Sequence, residues 1–202
     1  MFIVLDGGDG AGKSSQLQML IERLEASGRE VVTCRDPGGT EVGESVREIL
    51  LHRHHIEICP MSETLLYMAS RAQLVESVIR PALEAGKTVI SDRFLLANVV
   101  YQGHGRGLDV DKLWEIGSVA TRGLEPDLTI VFDVPPETAA DRISGEPDRM
   151  EQQGDEFHAR VRAGFIAEAD RQPDRIVVID ASPSIAEVHE AAWKEVEKRL
   201  IV

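Results

Sequence analysis

Residues 2–14 read FIVLDGGDGAGKS. Four apolar residues, Phe2 to Leu5, stop at Asp6, and Gly7-Gly8-Asp9-Gly10-Ala11-Gly12-Lys13-Ser14 then fits the spacing G-x-x-x-x-G-K-[ST]. Beyond it Leu17, Leu20, Ile21 and Leu24 recur at i, i+3, i+4 and i+7, which predicts a helix stopped by Gly28. A strand, a glycine-rich turn and a helix in that order make a phosphate cradle. Glycines let main-chain N–H groups curl around an anion, and the helix N-terminus adds partial positive charge. Lys13 is expected to reach the outer phosphates of a nucleoside triphosphate, and Ser14 to ligate Mg²⁺. The donor-phosphate set is therefore Gly7, Gly8, Asp9, Gly10, Ala11, Gly12, Lys13, Ser14 and Ser15.

Outward from this stretch, short β-branched runs alternate with segments of helical period. Further strands are expected at Val31–Cys34, Thr88–Ser91, Leu128–Phe132 and Ile176–Ile179. Helices are expected at about 42–51, 62–85 with a kink at Pro81, 109–122, 136–143, 154–171 and 184–199. Near-continuous apolar strands alternating with helices indicate an α/β fold: a three-layer P-loop NTPase with a five-stranded parallel sheet covered by helices on both faces. Residues 144–154 (SGEPDRMEQQG) are polar and aperiodic and are read as a short, mobile lid loop. The whole span 1–202 is taken as one domain.

Composition narrows the function. The 202 residues carry 22 Lys+Arg against 35 Asp+Glu, a formal charge of −13, which suits neither nucleic acid nor an anionic membrane surface. The first apolar run ends at Asp6, so no signal peptide or membrane span is expected. Cys34 and Cys59 share no motif and read as small reduced core residues, consistent with a cytoplasmic protein. His52, His54 and His55 look like a metal cluster but lack helical ligand spacing, and a solvated turn is the simpler reading.

Other candidates for chemistry lie at strand ends, where open α/β sheets bind ligands. Ser91-Asp92-Arg93-Phe94 closes the third strand, so Asp92 could join the Mg²⁺ shell and Arg93 hold an acceptor phosphate, or the two could form a strand-end salt bridge. Arg35-Asp36-Pro37-Gly38-Gly39-Thr40 turns at the end of the second strand and puts Arg35 near the same rim. On the long helix, Leu65, Met68, Ala69, Ala72, Val75, Ile79 and Leu83 form the expected buried stripe. Tyr67 and Arg71 lie nearly opposite it, presenting a ring and a guanidinium to a planar base or pairing at the surface. No Asn-Lys-x-Asp guanine-reading sequence occurs, which leaves a small phosphotransferase ahead of a nucleotide-binding switch.

Together with Arg35–Thr40 and Ser91–Phe94, the phrases Phe2–Ser14, Tyr101-Gln102-Gly103 and Pro126-Asp127-Leu128-Thr129 resemble the bacterial thymidylate kinases over essentially the whole chain. The resemblance implies a homodimer that transfers the γ-phosphoryl group of ATP to dTMP with Mg²⁺. It also implies that Asp9 contacts the acceptor's sugar or phosphate, and that Arg93 holds the acceptor phosphate. Tyr67 would stack on thymine, Arg71 bond its O4, Asn98 meet its N3 edge and Tyr101 crowd the 2′ position, with Arg35 and Gln102 completing the acceptor pocket. Some relatives carry an arginine at the position of Gly10; those without it draw on the lid, which here points to Arg149, with Arg142 just before it. Asp36 stands where Glu is more usual in the family, and Phe94 where Tyr is frequent.

Overall fold

The computed structural model describes residues 1–53, 55–142, 149–150 and 152–200; His54 and most of the expected lid loop lie outside them. Five strands, β1 (Phe2–Gly7), β2 (Val31–Arg35), β3 (Thr88–Asp92), β4 (Leu128–Asp133) and β5 (Ile176–Asp180), form one parallel sheet in the order β2-β3-β1-β4-β5. Every expected strand is present and runs one or two residues further, through the residue that turns toward the ligand-binding edge.

Side-chain alternation along the central strand divides the core. Ile3 and Leu5 pack with Leu20 and Leu24 of α1 (Lys13–Ala26) and with Trp193 and Val196 of α9 (Ile185–Leu200). Phe2 and Val4 face the other way, toward Met68 and Leu74 of α3 (Pro60–Leu74) and Leu95 of α5 (Leu95–Asn98). The remaining helices are α2 (Glu41–Arg47), α4 (Arg80–Glu84), α6 (Val110–Thr121), α7 (Pro136–Arg142) and α8 (Asp155–Arg171). Each fully buried Leu or Phe contributes roughly 1.5–3 kcal/mol of burial free energy, so the sheet sandwiched between helices is the main source of stability. At the end of β1, Gly7 has φ +125°, and a Cβ there would lie 2.3 Å from the Phe132 carbonyl oxygen. Only glycine lets β1 turn into the loop while still paired to β4.

Three regions depart from the sequence reading. The long helix starts at Pro60 and passes through a π turn, Val75–Ile79, just ahead of Pro81, instead of kinking at the proline. The widened turn lies where Pro81 has no N–H to donate to the preceding turn. The buried side of α3 is also rotated: Glu63, Thr64, Met68, Ser70, Arg71 and Leu74 are inside, while Leu65 and Ala69 face out. Met68, Val75 and Ile79 of the expected stripe are buried, but apolar residues alone set its edge too far toward Leu65 and Ala69, because the inward polar residues are satisfied by partners.

A helix that periodicity did not reveal follows β3, with α5 running into a second π turn, Val99–Gly105. Leu95 to Gly103 are buried throughout, and a helix enclosed on all sides carries no amphipathic signature. Finally, Cys59 is exposed rather than a core residue, Cys34 is half-buried, and both are free thiols. His52 is exposed at the end of a third π turn, Glu48–His52, that continues α2. Among the described residues no His/Cys/Asp/Glu group could hold a metal ion, and no helix is long and apolar enough to cross a membrane.

Candidate active site

The carboxyl ends of β1, β2 and β3, with the chain that follows β5, open onto a cleft of about 890 Å³. Its floor is the glycine loop. Gly10 and Gly12 hold φ of +75° and +83°, and Gly12 is the residue from which α1 starts. A Cβ on Gly10 would come within 2.5 Å of the Ala139 carbonyl oxygen in α7. That contact gives a physical reason why this chain has no arginine there. Lys13 Nζ donates to the carbonyls of Gly8 (2.7 Å) and Gly7 (3.2 Å), which places the ammonium over the loop. Burial and the neighbouring Arg93 push its pKa down to about 8, so the group remains mainly a cation at neutral pH.

Arg93 ties the loop to β3. Its backbone is left-handed, φ +66°, a conformation that costs a residue with a Cβ roughly 1–2 kcal/mol. The backbone N–H donates to Leu5 O at 2.9 Å. Nη1 donates to Gly7 O (2.8 Å) and Asp6 Oδ1 (3.3 Å), and Nη2 to Asp9 Oδ1 (2.6 Å). Its guanidinium carbon lies 5.3 Å from the Tyr101 ring centre, and the Tyr101 hydroxyl donates to Asp9 Oδ2 at 3.3 Å.

Burial works against both charges of the Arg93–Asp9 pair, and the pairing overcomes it. Asp9 is held below the ordinary carboxylate range by Arg93 and Lys13, and Arg93 stays protonated well above its own. Asp6, fully enclosed, behaves oppositely. Burial pushes it up to about 6 despite Arg93 and Lys13, and its Oδ2 has no hydrogen-bond partner among the described residues.

The wall facing the loop is built by α3, α5 and the π turn after it. Arg71, only 1% exposed, donates from Nε to Asp36 Oδ2 (2.5 Å) and from Nη1 to Met68 Sδ (3.2 Å) and Asn98 Oδ1 (3.1 Å). Nη2 donates to Phe94 O at 3.2 Å. Arg71 is therefore an interior residue at the cleft wall and not half of a surface pair. Asn98 Nδ2 continues to Gln102 Oε1 at 2.6 Å, and half-buried Tyr67 lines the same wall. Arg35 stands at the rim, paired with Glu44 at 2.7 Å.

Asp9 to Ser15, Arg35, Tyr67, Arg71, Asp92, Arg93, Asn98, Tyr101 and Gln102 thus share one cleft. Gly7 lies beneath it, and Gly8 borders a smaller cavity behind the loop. Arg149 is not brought to the loop: Nε donates to Leu50 O (2.8 Å) and Nη2 to Glu63 Oε2 (2.5 Å). Arg142 is on the cleft wall instead, donating to Ala181 O at 3.0 Å.

Sequence reading passed over Glu63, Arg47 and Gln16. Glu63 is one turn before Tyr67 and two before Arg71, a spacing that marks a shared face. Arg47 on α2 lines the cleft and donates to Pro37 O at 3.0 Å. Gln16 donates to Ile185 O at 3.0 Å and joins α1 to α9; nothing in its local sequence signals that role.

Comparison with known proteins adds an independent line. A family model described as thymidylate kinase matches residues 5–192. A thymidylate kinase of Exiguobacterium sp. strain AT1b is 50% identical over 187 residues, covering 92% of this chain and 88% of that one. One from Synechococcus sp. strain JA-2-3B'a(2-13) is 48% identical over 200 residues, 99% and 96% of the two chains. The crystal structure of thymidylate kinase from Ehrlichia chaffeensis superposes with a TM-score of 0.79 at 33% identity, covering 97% of this chain and 98% of that one.

The raised pKa of Asp6 has a stability consequence. The unfolded chain loses the Asp6 proton near 3.8 and the folded one near 6, so folding is progressively disfavoured as pH rises between them, by up to ~3 kcal/mol. Asp6→Asn, which cannot ionise, is expected to gain stability relative to the parent across that window, measured by urea unfolding at a series of pH values. A difference between the two proteins that does not change with pH would contradict the assignment.

Proposed function

This chain belongs to the thymidylate kinase family and catalyses ATP-dependent phosphorylation of dTMP to dTDP, and we infer from its cleft how its residues divide that work. The observation that carries the reading is Arg93, which bridges the glycine loop and Asp9 at the boundary between the phosphate floor and the Arg71–Asn98 wall. The donor triphosphate lies on the loop, within reach of Lys13 and the residues Gly10 to Ser15. The acceptor lies against Tyr67, Arg71, Asn98, Tyr101 and Gln102, with its phosphate toward Arg93 and Arg35 near the rim. The remaining end of the cleft, framed by Arg142 and the chain at 181–185, takes the donor's nucleoside.

The acceptor phosphate, with a second pKa near ~6, is mostly dianionic at neutral pH and needs no general base. Catalysis then consists of alignment and charge neutralisation, which Lys13 and Arg93 provide as cations held in place before substrate arrives. Asp9 keeps the Arg93 guanidinium in position through its 2.6 Å bond. The residues suit Mg²⁺: Asp92 Oδ1 is buried at the cleft without a hydrogen-bond partner among the described residues, and Ser14 is exposed at the start of α1. Bound there, Mg²⁺ would neutralise phosphate charge as it does throughout this class.

Exposed apolar residues support a homodimer. Val42 on α2 and Met61 and Leu65 on α3 are about half exposed on adjoining helices, and a second copy of the chain covers them. The free thiols fit a reducing cytoplasm. A monomeric mass in sedimentation at micromolar concentration would overturn the dimer.

Lys13→Ala is expected to abolish dTMP-dependent ADP formation, by ~10³ or more, while leaving the circular dichroism spectrum unchanged. Among dTMP, dUMP, CMP, AMP and GMP, the parent should prefer dTMP. Activity near the parent's in Lys13→Ala, or preference for another acceptor, would contradict the reading. Arg142→Ala is expected to raise the KM for ATP about tenfold, the loss of roughly one stacked or charge-assisted contact, without changing that for dTMP. Arg149→Ala should leave the KM for ATP unchanged. If it instead abolishes turnover, Arg149 and not Arg142 is the arginine that meets the donor.

A further inference from the structure

Behind the acceptor wall runs a chain of buried polar side chains that the phosphoryl-transfer chemistry does not use. It begins at Asp36 and passes through Arg71, Asn98 and Gln102 to Glu63, which is 1% exposed. Glu63 accepts from Gln102 Nε2 on one oxygen (2.9 Å) and from Arg149 on the other (2.5 Å), with Arg106 at 3.5 Å.

The chemistry at the two ends fixes the polarity of every link. A carboxylate only accepts and a guanidinium only donates. Gln102 must therefore turn its NH₂ toward Glu63 and its oxygen toward Asn98. Asn98 must in turn give its NH₂ to Gln102 and keep its oxygen beside Arg71. Arg71 has five N–H groups, four of them engaged with Asp36, Met68, Asn98 and Phe94. Among the described residues this leaves one N–H of Arg71 and one lone pair of Asn98 Oδ1 without a partner, on two side chains that are 3.1 Å apart and both line the cleft.

A donor beside an acceptor matches the C4 carbonyl and N3–H of thymine. Cytosine offers the reverse, an amino group and a bare ring nitrogen, and would set donor against donor and acceptor against acceptor. We propose that Glu63, which touches no substrate, is a specificity-determining positioning residue: its carboxylate sets the direction of the Gln102–Asn98 amides and thereby makes the enzyme choose thymine over cytosine. The proposal rests on the reading that Arg71 and Asn98 face the base.

Replacing Glu63 by its isosteric amide isolates this role. A glutamine has one acceptor oxygen, and the Arg149 guanidinium claims it. The amide nitrogen then faces Gln102, which must reverse. The reversal propagates to Asn98, whose NH₂ would meet the Arg71 donor. An unpaired buried polar group of this kind costs enough to change binding about tenfold or more. Exchanging the two residues restores the polarity: in E63Q/Q102E the amide at 63 donates to the carboxylate at 102, which accepts from Asn98 as before.

The experiment compares kcat/KM for dTMP and dCMP, with the KM for ATP and the melting temperature, in the parent, E63Q, Q102E and E63Q/Q102E. The expected result is a dTMP-to-dCMP ratio lowered about tenfold or more in E63Q, while Q102E, whose carboxylate at 102 still accepts from Asn98, keeps the parent's ratio. The ratio should recover in the exchanged protein, and the KM for ATP should not move. An unchanged ratio in E63Q, a ratio lowered as far in Q102E as in E63Q, or an exchange no better than E63Q would overturn the proposal. If a single variant does not fold, the exchanged protein decides: a ratio like the parent's supports the relay and a collapsed ratio sinks it. Asn98→Ala separates the two levels. Loss of the ratio there with no loss in E63Q rejects Glu63 alone, whereas an unchanged ratio in Asn98→Ala rejects the base reading beneath it.

Discussion

The contact on which the site depends is the Arg93 guanidinium held between Gly7 O, Asp6 and Asp9. It fastens the end of β3 to the turn after β1, so neighbouring strands of the sheet bring the Arg93 and Lys13 cations to one side of the cleft. The left-handed backbone at Arg93 is the cost of aiming the side chain back across β1 instead of onward into the solvent. Ion pairs at a surface would be screened to little effect, but this one is mostly enclosed and its members have few alternatives. Lys13, bound to the carbonyls of the same loop, adds a second positive charge beside it.

An overall charge of −13 and a site for two polyanions are compatible only if cations are concentrated locally. Lys13, Arg35, Arg47, Arg71, Arg93 and Arg142 all border the cleft. Several are neutralised in part by Asp36, Glu44 or Asp9, so they are oriented before a ligand arrives and lose little freedom when it binds.

Much of this was legible in the residues themselves. The sheet could be read because parallel strands buried on both sides are unbroken apolar runs, and the loop because its glycines, Lys13 and Ser14 have fixed spacing. The pairing of Tyr67 with Arg71 on one helix face was also visible, although that face was placed opposite the buried stripe instead of within the interior. That error came from counting Leu65 and Ala69 as interior, when α3 turns its polar residues inward and leaves those two outside. Periodicity reports which residues avoid water only where burial and apolarity coincide, and at a polar wall they do not. The same limit hid α5, which is enclosed on every side, and Glu63, whose importance lies in partners 39 and 86 residues away along the chain.

The close approach of α7 to the glycine loop bears on how such enzymes diverge. With the Ala139 carbonyl 2.5 Å from where a Gly10 Cβ would sit, a side chain at that position requires the first turn of α7 to be re-sited at the same time. Passage between the two arginine arrangements is therefore a concerted change of loop and helix. Intermediates carrying only one half of it would be selected against, which would keep lineages of the two types apart.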